Sequence, residues 1–107
     1  MKKRREFQTV YRDGRKAYGQ AAILFCRKRE DDGPWRLGLT ATRRIGGAVK
    51  RNRARRRARD FFRLHEDAIP GGWDFVVNLK AGAHEFQPAR FREDMVSLLE
   101  KMGFPLG

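Results

Sequence analysis

Eight cations fall between Lys50 and Arg63: Lys50, Arg51, Arg53, Arg55, Arg56, Arg57, Arg59 and Arg63. Between Ala48 and Phe62 the only acid is Asp60. A guanidinium binds phosphate through two parallel hydrogen bonds and stacks on a base, and the chain uses 18 Arg against 7 Lys. Each phosphate neutralised releases condensed counterions, which drives binding and makes it salt-sensitive. Asn52 differs in kind. Its amide donates and accepts, so it suits a base edge, a 2′-hydroxyl or a metal-bound water. The bland reading of such a run is a solvated charged face, but a surface helix held by ion pairs interleaves Glu with Lys. That interleaving is missing here.

No other constellation competes with this segment. Cys26 is the only cysteine and sits in the apolar run AAILFC, where a small buried thiol is the expected reading. His65 and His84 are far apart, with no metal-ligand spacing around them. Nothing resembles a catalytic elbow or a P-loop, and Gly46-Gly47 alone is not a phosphate-binding fingerprint. No acid–base pair or metal cluster equips the chain as a nuclease on its own.

A helix must present these cations. With Val49 to His65 at about 100° per residue, Ala54, Ala58, Phe61, Phe62 and His65 fall within about 100° of one another. That stripe should pack on a sheet. Asn52, Arg56, Arg59 and Arg63 line another side, with Arg53 beside them, and Lys50, Arg51, Arg55 and Arg57 take the flanks. The small alanines allow close approach, and the phenylalanines anchor the helix.

The remaining elements follow from period and punctuation. Phe7, Val10 and Tyr11 at helical spacing, stopped by Gly14, predict a helix over Arg4 to Asp13. Gln20 to Lys28 reads as a strand. Asp32-Gly33-Pro34 is a turn, and Trp35 to Thr42 alternates as a strand with one buried face. These two strands are expected to form an antiparallel hairpin. Asp74 to Leu79 reads as a third strand; a further strand is not separable from the sequence. Pro88 opens a last helix whose stripe of Phe91, Met95, Leu98, Leu99 and Met102 ends at Gly103. The result is an α+β fold, a two-layer sandwich of a sheet covered by helices. Phe7, Tyr11 and Phe25 either line a groove where single-stranded bases stack or belong to the core. Trp35 and Trp73 flank turns and read as structural.

The length of 107 residues predicts a single domain over 1–107. The net charge of +12 opposes compaction and calls for a polyanion, first of all nucleic acid. No apolar run approaches the roughly 20 residues that span a bilayer, and no secretory signal follows the basic start, so no membrane partner is expected. One unpaired cysteine suits a cytoplasmic location. A structural ribosomal protein also fits the size and charge. A DNA-binding regulator fits less well, because the basic helix has no preceding partner helix at helix-turn-helix spacing.

The segment TATRRIGGAVKRNRARRRARDFFR, residues 40–63, resembles the signature region of the bacterial ribonuclease P protein component, and the order of elements matches that family along essentially the whole chain. The resemblance implies a compact α/β sandwich similar to a domain of ribosomal protein S5, with a left-handed βαβ crossover through the basic helix, against the usual hand. It implies one protein paired with one catalytic ribonuclease P RNA, which removes the 5′ leader of precursor tRNA. The RNA does the chemistry and holds most of the Mg2+; the protein supplies no catalytic residue and binds no metal or cofactor alone. Carried over by position, Arg43, Arg44, Lys50, Arg51, Asn52, Arg53, Arg55, Arg56, Arg59 and Arg63 bind RNA. A leader-binding cleft maps to Phe7, Tyr11, Phe25, Thr40, Arg44, Asn52 and Arg56. Three departures stand out. Gly47 replaces the family's usual asparagine, Arg43 and Arg44 stand where lysines are common, and Phe25 lacks the hydroxyl of a frequent tyrosine.

Overall fold

The computed structural model describes residues 3–106. Among them the elements run α1 (Arg4–Asp13), β1 (Arg15–Tyr18), β2 (Ala22–Lys28), β3 (Arg36–Ala41), α2 (Ala48–Leu64), β4 (Trp73–Leu79) and α3 (Pro88–Lys101), with short 3-10 turns at Arg43–Ile45 and Ala83–Glu85. The α+β class matches the sequence expectation. The strands form one sheet in the order β1-β2-β4-β3. β3 runs parallel to β4, so β3, α2 and β4 form a β-α-β unit, while the other pairs are antiparallel.

β2 and β3 do not form the expected hairpin; β4 lies between them. The chain bends at Glu30 and Asp31, just before Asp32-Gly33-Pro34, and this loop is held by the one that precedes β4. Arg29 N–H donates to Gly72 O at 2.7 Å, and Gly72 N–H donates to Gly33 O at 2.7 Å. β2 instead pairs with β1, the strand that the sequence left unresolved. β1 is short, and of its four residues only Ala17 turns inward, too weak a period to read.

The two sheet faces have different cover. One face carries Leu24, Cys26, Phe75 and Val77 and packs against Ala54, Ala58, Phe61 and Phe62 of α2 and Phe91, Met95, Leu98 and Leu99 of α3. The α2 stripe is therefore the one expected, with His65 half-buried at its end, its ring centroid 4.7 Å from that of Phe61. Pro88 opens α3, and Gly103, at φ 91°, ends it in the left-handed region that glycine favours. Burial pushes the Cys26 thiol up, which keeps it protonated and unreactive.

α1 crosses part of the opposite face. Gly14 ends it because the chain must pass close to β2: a Cβ there would lie 2.5 Å from Val10 O and 2.6 Å from Cys26 O. Val10 is fully buried under the helix. Glu6, in the first turn, accepts from Arg36 Nη1 at 2.7 Å, and Arg36 in turn grips Asp74 through Nε and Nη2, both at 2.8 Å. Arg29 adds Nη1 to the same Asp74 at 2.8 Å. One buried carboxylate thus ties β3, β4, the end of β2 and, through Arg36, α1.

Candidate nucleic-acid interface

The partly covered face can be read row by row from the strand register. Arg27, Asp74 and Arg36 are cross-strand neighbours in one row, Lys16, Phe25, Val76 and Gly38 in the next, and Tyr18, Ile23, Asn78 and Thr40 in the third. α1 anchors on the first row through Glu6 and reaches the third through Tyr11. The Tyr11 hydroxyl donates to Asn78 Oδ1 at 2.9 Å, and the Thr40 hydroxyl donates to the same oxygen at 2.6 Å. The Tyr11 ring meets Phe25 edge-on, with centroids 4.8 Å apart, a favourable aromatic geometry. Tyr11 is nevertheless 38% exposed.

This arrangement leaves an open trough of about 470 Å³, lined by Ile23, Thr42, Arg44, Asn78, Lys80 and Ala81. Both hydroxyls use the Asn78 oxygen, so the amide NH2 has no partner among the described residues. It remains a donor for a ligand acceptor. Sequence reasoning missed Asn78. The available signal was an amide in a strand otherwise occupied by apolar groups. Arg44 is exposed where β3 leads into α2, and its backbone N–H is turned back onto the Thr42 hydroxyl at 3.4 Å.

Of the residues assigned to the cleft, Tyr11, Phe25 and Thr40 gather on this face, with Arg44 at its end. Phe7 lies half-buried one turn before Tyr11 on α1. Asn52 and Arg56 are exposed on α2, whose stripe packs on the other sheet face. No hydrogen bond, ion pair or ring contact joins either of them to the Tyr11 group. Asn52 Oδ1 accepts from Arg55 Nη1 at 3.0 Å, and Arg56 stands 3.8 Å from Asp60.

The arginines of α2 divide by direction. Arg53, Arg56, Arg59 and Arg63 are exposed, as is Lys50. Arg59 and Arg63 rim a hollow of about 260 Å³ over Trp35, Leu37 and Leu39, at the β3 edge. Trp35 packs on Phe62 with ring centroids 5.7 Å apart, in keeping with its structural assignment. Arg57 turns inward instead. It donates to Ala83 O at 3.3 Å and to Phe86 O, and lies over the Phe91 ring, clamping the segment between β4 and α3 onto α2. Arg51, placed on a flank from sequence, follows the packed row one turn before Ala54. It is half-buried, and its Nε is shielded from solvent without a hydrogen-bond partner.

Gly47 caps α2 at φ −71° with no side-chain hydrogen bond, and a Cβ there would meet nothing within 4 Å. The missing asparagine is therefore not excluded by space or backbone. The first turn of α2 contains no acid, which leaves the positive end of the helix dipole uncompensated beside Lys50 and Arg51. No three described His, Cys, Asp or Glu side chains converge as metal ligands would. The groups along the trough are guanidinium, ammonium, amide and hydroxyl, the chemistry of phosphate and base recognition.

Because Arg56 faces solvent and its contact with Asp60 is long, Arg56→Ala should leave stability within about 0.5 kcal/mol. It should weaken RNA binding and lower the magnitude of the salt slope by about one. A titration of RNA affinity against salt, beside urea unfolding, checks both.

Comparison with known proteins agrees with this geometry. The family model described as Ribonuclease P matches residues 1–103. A ribonuclease P protein component from Oleidesulfovibrio alaskensis is 43% identical over 76 residues, which span 70% of this chain and 61% of that relative. The component from Syntrophus aciditrophicus is 34% identical over 101 residues, covering 94% of this chain and 84% of its own. In three dimensions the chain is similar to the Staphylococcus aureus RNase P protein, with a TM-score of 0.89 over 97% of this chain and 94% of that one; at 22% identity this supports the fold. A match along nearly the whole length, on the fold and around the basic helix alike, places the chain in the ribonuclease P protein family.

Proposed function

We propose that this chain is the protein subunit of a bacterial ribonuclease P, pairing with one catalytic RNA in the cytoplasm and assisting removal of the 5′ leader from precursor tRNA. The exposed arginines of α2, with Arg43 and Arg44, bind the catalytic RNA and the phosphates near the cleavage point. The trough beside Tyr11 takes the single-stranded leader. Its bases meet the exposed part of Tyr11 and the edge of Phe25, its phosphates meet Arg44, and the Asn78 NH2 donates to a base edge or a 2′-hydroxyl. Asn52 in the first turns of α2 and Arg56 at its middle extend the contact. The RNA supplies the ligands for Mg2+ and the hydrolytic chemistry; the protein holds substrate.

The observation that carries this reading is the Asn78 amide oxygen, which accepts from both Tyr11 and Thr40, with Phe25 edge-on to Tyr11, beside an open trough that Asn78, Arg44 and Lys80 line. A plain core cluster would be closed over. The test is a mixing experiment: purified protein, catalytic RNA and precursor tRNA at low magnesium. Turnover should rise when protein joins the RNA, and the protein alone should cleave nothing. Unchanged turnover overturns the assignment.

A further inference from the structure

The third row of the open face does not stop at Asn78. It continues through Ile23 of β2 to Tyr18 of β1, at the sheet edge. Tyr18 is 56% exposed, more than Tyr11. Lys16, two residues earlier on the same strand face, holds its ammonium 5.4 Å from the Tyr18 ring centroid. An exposed aromatic with a cation beside it lies in register with the Tyr11–Asn78–Thr40 group, across strands spaced about 4.8 Å apart.

The platform under Tyr18 is unusually well tied for a hairpin turn. Its carbonyl accepts from Lys101 Nζ at 3.2 Å, and the Gly19 carbonyl accepts from Lys80 Nζ at 2.7 Å. Asp94 of α3 takes the backbone N–H groups of Gln20 and Ala21, both at 2.9 Å. Gly19 N–H closes the turn onto Ala22 O at 2.8 Å. Four side-chain contacts from α3 and the end of β4 therefore fix an edge strand that would otherwise fray. Core packing does not explain the Tyr18 ring, because Ala17 is the residue that β1 sends to the core. A backbone already held in place loses little freedom when a base stacks on the ring it carries.

We infer that Tyr18 and Lys16 form an outer stacking subsite, which takes a leader nucleotide farther from the cleavage point than those met by Tyr11. This deepens the leader-binding reading above and rests on it. Tyr18 offers one ring face to a base, and Lys16 meets the adjoining phosphate. Ile23 forms the apolar floor between the subsites. Stacking on a flat ring is tolerant of base identity, so the subsite senses leader length more than leader sequence.

The test uses the holoenzyme, reconstituted from the catalytic RNA and the full chain. Affinity is measured for precursor tRNAs whose leaders lengthen in single-nucleotide steps. Tyr18→Ala should weaken binding about fivefold once the leader passes a threshold length, and not below it. Tyr18→Phe should keep the affinity, and Tyr11→Ala should act at shorter leaders. If Tyr11→Ala weakens binding and Tyr18→Ala does not at any length, the outer subsite is refuted and the trough reading stands. If Tyr18→Ala weakens short-leader and long-leader substrates alike, the subsite is refuted as well. If neither variant changes affinity at any leader length, the trough reading falls, and the subsite with it. Tyr18 is exposed, so an unchanged unfolding midpoint should accompany the variant.

Discussion

Asp74→Ala is expected to cost about 3 kcal/mol, because it removes the buried carboxylate against the Arg29 guanidinium, which then keeps only the exposed carboxylate of Asp31 and the carbonyls of Trp73 and Pro34. The Asp74 side chain is 3% exposed and that of Arg29 is 8% exposed. Arg36, at 44%, reaches water and suffers less. The loss should spread beyond the pair, since Arg36 also holds Glu6 of α1. The cleft would then lose the anchor at one end of its wall while keeping the Tyr11–Asn78 bond at the other. Urea unfolding checks the stability, and a cost below about 1 kcal/mol would show that the carboxylate is dispensable.

The same network gives the pH dependence its sign. Burial pushes the Asp74 carboxyl up, but hydrogen bonds from Arg36 and Arg29 outweigh it and hold the group below the usual carboxylate range. Asp31 is held at about 2 by hydrogen bonds from Arg29 and from Gly33 N–H. A carboxyl with a lowered folded value contributes stability that is complete above its unfolded value, near pH 4, and disappears as pH falls through the folded one. Stability should therefore decline from about pH 4 towards pH 2.

Phe62→Ala is expected to cost about 3–5 kcal/mol through the cavity it leaves. The ring is fully buried and meets Trp35, Phe61 and Phe75 at centroid distances of 5.7, 5.9 and 5.5 Å. RNA affinity measured at a temperature where the variant remains folded should change little. This is the reverse of Arg56→Ala, and equal stability losses in the two variants would contradict the division of α2 into a packed and an exposed side. For a domain whose total stability is of the order of 5–15 kcal/mol, Phe62→Ala should be visible as a large shift of the urea midpoint.

The contrast on α2 was legible because helical periodicity is strong and local. Ala54, Ala58, Phe61 and Phe62 follow the 3.6-residue repeat and are all buried. The same holds for α3, whereas on α1 only Val10 of the apolar set is buried. Strand order was not legible, because turn chemistry near Asp32-Gly33-Pro34 fixes a change of direction and not a neighbour. A signal did exist: Phe75, Val76 and Val77 are buried in succession, without alternation, the mark of a central strand covered on both faces. β3 has Gly38 as its one buried residue and is otherwise half-buried or exposed, as an edge strand is.

The trough was partly legible. Tyr11 and Phe25 could be suspected as stacking groups, yet periodicity alone did not separate groove from core. Asn78 and Tyr18 escaped for a different reason. Their placement depends on the cross-strand register between β1, β2 and β4, and register is a property of pairing that no single segment carries. The direction of Arg57 and Arg51 escaped similarly. A charged side chain on a helix flank is drawn inward only when carbonyls such as those of Ala83 and Phe86 wait for it.

The position of β4 has a consequence for synthesis. The strand that separates β2 from β3 is made after both, and α2 is made before it. While the chain is being translated, the arginine-rich helix leaves the ribosome before the sheet that will seat it can close. Until Leu79 is made, the parallel pairing of β3 with β4 is incomplete, so the sheet beneath α2 lacks its central strand.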